Sequence, residues 1–212
     1  MTNHEHGAWH RKVIPASTET TLGVLRDARL LDDFYLAGGT GLALQFGHRL
    51  SLDLDFFAKE QFDEEMLLQR VRMLDGFALV AKAPYTLHTT IREIKVSFLG
   101  YAYPVLFPTS PFLDVAVADP RDIACMKVSA VASRGTKRDF VDLYRCAERF
   151  GLKEILRLFD QKYVQTHLSR IHILKSLIFF DDADKDPMPH MLVTLDWDEV
   201  KQYFLREVSR LF

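Results

Sequence analysis

Two acids two residues apart, Asp53 and Asp55, and a Gly38-Gly39-Thr40 run upstream of them are the residues of this chain best equipped for chemistry. The stretch Leu50-Ser51-Leu52-Asp53-Leu54-Asp55-Phe56 alternates apolar and polar residues, which predicts a strand carrying both carboxylates on one face. Their Cα atoms would stand ~6.5–7 Å apart, a gap that a Mg²⁺ ion with ligand distances of ~2.0–2.1 Å can bridge. Two carboxylates brought to ~4 Å repel by about 4 kcal/mol at an effective dielectric near 20, so the pair calls for a cation or solvent. A divalent ion held there could bridge a nucleotide's phosphates, neutralise developing charge and orient an attacking hydroxyl. The glycines serve the same chemistry. At a strand-to-helix turn they let phosphate oxygens approach the backbone, and the N–H groups opening the next helix supply donors and a favourable dipole.

An isolated Asp-x-Asp more often marks the solvent face of an edge strand. The flanks argue otherwise here: Leu52, Leu54, Phe56 and Phe57 predict a well-buried strand, with the glycine turn just upstream. Phe34–Ala37 reads as the strand entering that turn and Thr40–Phe46 as the helix leaving it. Before them, N-cap types Ser17 and Thr18 open a helix with Leu22, Leu25, Leu30 and Leu31 at roughly helical spacing. After them come a helix over Asp63–Leu74, with Met66, Leu67, Val71 and Leu74 on its apolar face, and strands near Phe77–Ala81, Thr86–Thr90 and Ile94–Tyr101. Tyr103–Pro111 holds three prolines and reads as a loop or edge. From Asp119-Pro120, a strong helix start, helical periodicity fills about 120–133, 137–150, 152–162, 166–179 and 196–211. The acidic stretch Asp181–Asp186 between the last two reads as a solvated loop.

The expected architecture is therefore α+β, with a mixed sheet and flanking helices followed by a helical C-terminal lobe. The boundaries fall at 1–16 for a flexible tail, 17–118 for the α+β lobe and 119–212 for the helical lobe. His4, His6 and His10 lie in the tail with no carboxylate or Cys cluster to complete a metal site.

Composition bounds the function. At 212 residues with 48% hydrophobic content and 16 Phe, the chain can bury a substantial core, against disorder or a disulfide-stapled mini-protein. Cys125 and Cys146 lack metal-type spacing and read as reduced thiols of a cytoplasmic protein. No leader and no apolar run of the ~20 residues a membrane span needs is visible. A net charge of −2 provides no global field for nucleic acid, so a polynucleotide would need a local patch.

Leu36-Ala37-Gly38-Gly39, a spacer over 40–52 and Asp53-Leu54-Asp55-Phe56 together resemble the signature of the polymerase-β-type nucleotidyltransferase superfamily. More narrowly, LAGGTGLALQFGHRLSLDLDFF (36–57), KVSFLGY (95–101) and DIACMKVSAVASRGTKRDFVDLY (122–144) resemble the AbiEii/AbiGii-type toxin nucleotidyltransferases. The resemblance spans roughly Leu36–Tyr144 and implies a nucleotidyltransferase fold. It implies Mg²⁺ (or Mn²⁺) on Asp53 and Asp55, a nucleoside triphosphate as substrate, and Gly38, Gly39 and Thr40 against its phosphates. The implied acceptor is RNA (tRNA included) or a protein hydroxyl, and the implied partner of such a toxin is an antitoxin.

Four further positions matter. Ser51, on the predicted strand face of Asp53, could contact phosphate or accept a nucleotidyl group, or be only a satisfied strand serine. Lys127 and Arg134, seven apart on a helix, could present two cations to a triphosphate, against the alternative of a solvated basic face. Asp139, three residues after Thr136, fits a capping box. Asp142 lies deeper and needs a partner such as Lys127 or Arg138, or could organise the incoming hydroxyl. One departure is plain: the strand on which many relatives carry a third carboxylate offers Lys95 and Ser97, with Glu93 outside it.

Other readings explain less. A haloacid-dehalogenase-type phosphatase would not have a glycine-turn helix before its acids, and sugar-nucleotide transferases leave Gly38-Gly39 and the segment around Asp142 unexplained. A non-catalytic nucleotide- or partner-binding module on the same fold is the alternative of a different class.

Overall fold

The computed structural model describes residues 8–166 and 169–211, so His4, His6 and His167 lie outside the described residues. The chain divides into two compact units, Met1–Gly47 with Ser51–Asp119, and His48–Leu50 with Pro120–Phe212.

In the first unit, α1 (Ala16–Asp27) leads to β1 (Tyr35–Leu36), α2 (Gly38–Phe46), β2 (Leu54–Ala58) and α3 (Glu64–Val71). Strands β3 (Phe77–Ala83), β4 (Thr86–Ile91), β5 (Ile94–Gly100), β6 (Ser110–Phe112) and β7 (Val115–Val117) follow. Among the described residues they form one seven-stranded mixed sheet in the order β3-β4-β5-β2-β1-β7-β6. β2 runs parallel to β5 and antiparallel to β1, which runs parallel to β7. One sheet face is apolar: Leu54, Phe56, Leu87, Val96 and Phe98 are fully buried there, in one core with Leu22 and Leu25 of α1 and Leu67, Leu68 and Val71 of α3. The alternate residues of β2, β4 and β5 face the other way and stay partly exposed. Asp63 caps α3 by accepting from Glu65 N and Met66 N.

Several boundaries differ from the sequence reading, each for a local reason. Tyr103–Pro111, expected as loop or edge, does end at the sheet edge, where its last two residues enter the β6–β7 hairpin with Pro111 in β6 and a missing N–H is tolerated. Met66 lies 63% exposed, off the apolar face of α3. Residues 9–14 do not behave as a tail. Trp9 donates to Pro111 O, His10 N donates to Leu44 O, and Val13 and Ile14 are buried.

The second unit is helical: α4 (Pro120–Ser133), α5 (Lys137–Phe150), α6 (Leu152–Lys162), α7 (Arg170–Ser176), α8 (Asp181–Lys185) and α9 (Trp197–Ser209). Phe140 of α5 packs its ring against Phe180, Trp197 and Phe204. Lys162 and Asp122 pair at 2.8 Å with both side chains buried. The acidic stretch expected as loop winds into α8, whose first turn carries Asp181, Asp182 and Asp184; acids are favoured at that end of a helix. The segment His48–Leu50 belongs to this unit through Arg49 opposite Met191, Leu50 N to His190 O and Leu192 N to His48 O. Cys125 and Cys146 are buried free thiols; burial first, then the charge of Asp122, pushes Cys125 up to about 12, which makes it inert. Among the described residues no helix is long and apolar enough to cross a membrane.

Candidate active site

In the first unit, the glycine turn and the acid pair form one structure. β1 and β2 are antiparallel with Leu36 opposite Phe56, and Ala37 N donates to Asp55 O at 3.0 Å. Gly38 therefore opens α2 against Asp55. Its φ is +60°, and a Cβ there would stand 2.9 Å from Asp55 Oδ2 and 3.4 Å from Asp55 Cβ. The left-handed backbone requires glycine, and a Cβ there would push the Asp55 carboxylate aside. Gly38→Ala should cost about 1–2 kcal/mol for the backbone alone. By displacing Asp55 it should also lower activity roughly 100-fold, measured as a melting midpoint beside a turnover assay.

Asp53 sits one residue before β2, which begins at Leu54 rather than at Leu50. The cause lies in its backbone partners. Ser51 N donates to Val13 O, Thr18 Oγ1 donates to Leu52 O, and Thr40 Oγ1 donates to Asp53 O. These replace a strand ladder and turn Leu52 outward, 54% exposed, where a buried residue was expected. Thr40 and Ser51 are both buried, with their hydroxyls 2.8 Å apart. This links α2 to the residues that carry Asp53, and the Thr40 hydroxyl holds Asp53 in place. Both acids remain partly exposed. Across the sheet, Asp55 is in register with Ser97 of β5, and Ser97 with His88 of β4. The three side chains share a face, with His88 Nδ1 3.0 Å from Ser97 Oγ. Ser97 and His88 thus occupy the row where the third carboxylate was sought, and His88 was missed because only strand register reveals it.

Two partly exposed carboxylates fit Mg²⁺, which keeps several waters and commonly takes one or two protein carboxylates plus substrate phosphate. They are not a preformed cage: among the described residues no group of three or more His, Cys, Asp or Glu is placed to hold a metal.

The remaining sequence candidates come together in the second unit. Asp142, fully buried, accepts from Arg49 Nε and Nη2 at 2.7 and 2.8 Å and from His48 Nε2 at 2.8 Å, and pairs with Lys127 Nζ at 2.7 Å. Asp139 takes Lys127 Nζ at 3.0 Å, Arg134 Nε and Nη2 at 2.7 and 2.9 Å, and the Thr136 hydroxyl at 2.7 Å. The expected capping box is thus redirected: Thr136 stands at the N-cap but its side chain caps no backbone N–H. Lys127 bridges two carboxylates and is only 5% exposed. His48 and Arg49 escaped the sequence reading because their partner lies more than ninety positions away. The available signal was two adjacent basic residues entering a buried segment.

Burial pushes Asp142 upward, but the charges of Lys127 and Arg49 and the Arg49 and His48 hydrogen bonds outweigh it and hold it well below the carboxylate range. Asp139 is likewise pushed up by burial, yet held low by Arg134 and Lys127. Burial lowers His48 more than Asp142 raises it, so His48 is neutral and donates through Nε2. For Lys127, burial is overcome by Asp142 and Asp139, and the ammonium titrates above its usual range. Unfolding on acidification therefore takes up protons, first at His48 below about pH 6.5, then at Asp139 and Asp142 below about pH 4. The Lys127 contribution persists until pH rises past about 10.4. The melting midpoint should be flat only from about pH 7 to 8. It should fall in two stages below that, and fall again above about pH 8.5, where the Cys125 and Cys146 thiols ionise in the unfolded chain but are held protonated by burial in the folded one. A pH series of thermal melts would record this.

With this geometry in hand, the comparisons decide the family. The model of the AbiEii family, nucleotidyl transferase toxins of type IV toxin–antitoxin systems, matches residues 22–98 and 83–210. The chain belongs to that family. It is therefore a nucleotidyltransferase of the toxin class. An uncharacterized protein of Aquifex aeolicus (strain VF5) is 37% identical over 186 residues, covering 85% of this chain and 88% of that protein. MenT4, the nucleotidyltransferase toxin Rv2826c of Mycobacterium tuberculosis H37Rv, shares the fold at a TM-score of 0.56 and 17% identity, over 93% of this chain and 87% of its own. The antibiotic-resistance factor ANT(2'')-Ia shares it at 0.51 and 12% identity, over 70% and 94%.

Proposed function

We propose that this AbiEii-family chain transfers a nucleoside monophosphate from a nucleoside triphosphate to an acceptor hydroxyl of RNA, tRNA included, and releases pyrophosphate. The observation that carries this reading is Gly38 at φ +60° packed against Asp55, which makes the phosphate turn and the carboxylate pair a single unit. In this reading the backbone N–H groups of Gly38, Gly39 and Thr40, at the start of α2, bind phosphate oxygens. The Thr40 and Ser51 hydroxyls keep Asp53 in place. Asp53 and Asp55 would hold magnesium or manganese, which supplies charge neutralisation at the triphosphate and the leaving pyrophosphate. The acceptor oxygen attacks the α-phosphorus in line with the departing pyrophosphate oxygen. Lys127 and Asp142 are positioning residues, since their charges are spent on each other and on Arg49, His48 and Asp139. A protein hydroxyl is the second acceptor class, and an antitoxin is the partner the family suggests.

The test is incubation with Mg²⁺ and each α-labelled nucleoside triphosphate, with and without total RNA. Label on RNA supports the reading, and label on the protein itself or on a protein additive moves the acceptor class. Absence of both transfer and magnesium-dependent nucleotide binding would leave the non-catalytic module as the better account.

A further inference from the structure

Apart from its buried ionic network, the second unit carries an open cavity of about 380 Å³ between the end of α4 and α7 with the turn that follows it. The volume is within the ~300–1,000 Å³ of small-ligand sites. Arg134, His172, Lys175, Ser176, Phe179 and Asp182 line it. His172, Lys175 and Phe179 recur at helical spacing along one side, and all three are exposed. Phe179 is 54% exposed, an aromatic residue in a cavity that Arg134 and Lys175 also line. Arg134 is held by its bidentate bond to Asp139 while its side chain stays 63% exposed, so the guanidinium is already oriented. His172 Nε2 lies 3.3 Å from Ala132 O, which fixes that ring as well. Asp182, the acid of the lining, is paired with Lys185 at 2.9 Å. In a chain of net charge −2, a cation pair flanking an exposed ring is a local departure from the global field.

From this juxtaposition we infer that the cavity binds single-stranded RNA, with a base stacked on Phe179 and the adjoining phosphate between Lys175 and Arg134. The chemistry suits that occupant. A ring offers a sequence-tolerant stacking platform, and flanking cations track the phosphate backbone. An acidic protein segment would use the cations and leave the ring in water. The site belongs to the acceptor and rests on the reading that the acceptor is RNA. It moves Arg134 from the triphosphate to the RNA strand.

The experiment is fluorescence anisotropy of a labelled twelve-nucleotide single-stranded RNA with the full chain, without nucleotide or Mg²⁺, beside Mg·NTP binding measured separately. Phe179→Ala should weaken RNA binding about tenfold. Lys175→Glu should weaken it at least as much and flatten its salt dependence, and both should bind Mg·NTP like wild type. The inference is overturned if wild type does not bind the RNA, if both variants bind it equally well, or if an abasic strand or a polyglutamate peptide competes as well as the RNA. Transfer and site fail separately. Label reaching RNA equally in Phe179→Ala removes the site and keeps the transferase, whereas variant-sensitive RNA binding with no label transfer keeps the site and removes RNA as acceptor.

Discussion

Asp53→Asn with Asp55→Asn should abolish nucleotidyl transfer, by about 10³-fold or more, and leave the fold intact. The size follows from what the carboxylates are asked to do. Removing one preorganised group that stabilises transition-state charge typically costs 10²–10³-fold, and here both proposed anionic ligands of the cation are neutralised. The fold is spared because both side chains are partly exposed. Asn keeps their shape and relieves a like-charge pair, so stability should change by no more than about 1 kcal/mol. A labelled-nucleotide assay and a thermal melt on the same preparation measure both halves. Loss of activity with loss of fold would not count in favour of the reading.

The second large effect is on stability. Asp142→Asn should lower the melting midpoint by about 10 °C. Asp142 is the fully buried acceptor for Arg49, His48 and Lys127. Neutralising it removes the anion that Arg49 and Lys127 share, so that of its two carboxylates Lys127 keeps only Asp139. Breaking a buried ion pair from one side costs about 3–5 kcal/mol, and each kcal/mol moves the midpoint of a chain this size by about 2–4 °C. Acid destabilisation should shrink in the same variant, because one of the carboxylates whose protonation drives it is gone. A midpoint within 2 °C of wild type would mean that the network contributes far less than its geometry implies.

How much of this could be read beforehand depended on how local each cause was. The Gly38–Phe46 helix, the β3–β4–β5 region and the α4–α5–α6 series were legible, because periodicity, glycine and proline signals act within a few residues. The close approach of the glycine turn to Asp55 was legible for the same reason, both lying in one patterned segment. What failed to show was set by distant partners. Residues 50–53 alternate as a strand should, yet Leu50 N and Ser51 N donate to His190 O and Val13 O, and Leu52 O and Asp53 O accept from the Thr18 and Thr40 hydroxyls, instead of forming a ladder. The first sixteen residues looked like a polar tail, yet Val13 and Ile14 are needed to close the core. Lys127 sat among apolar neighbours and suggested a phosphate contact, whereas its neighbours in space are two buried acids. Ser97 and His88 gained meaning only when strand register set them beside Asp55.

The most direct test of the central claim is Mn²⁺ binding, followed by the free-ion paramagnetic signal, with a non-reacting nucleoside triphosphate analogue present. Wild type should bind the ion with the nucleotide. The Asp53→Asn/Asp55→Asn variant, melting at the same temperature, should bind both about 100-fold more weakly or worse. Equal binding in the two proteins would contradict the assignment of these carboxylates as the ligands on which the chemistry depends.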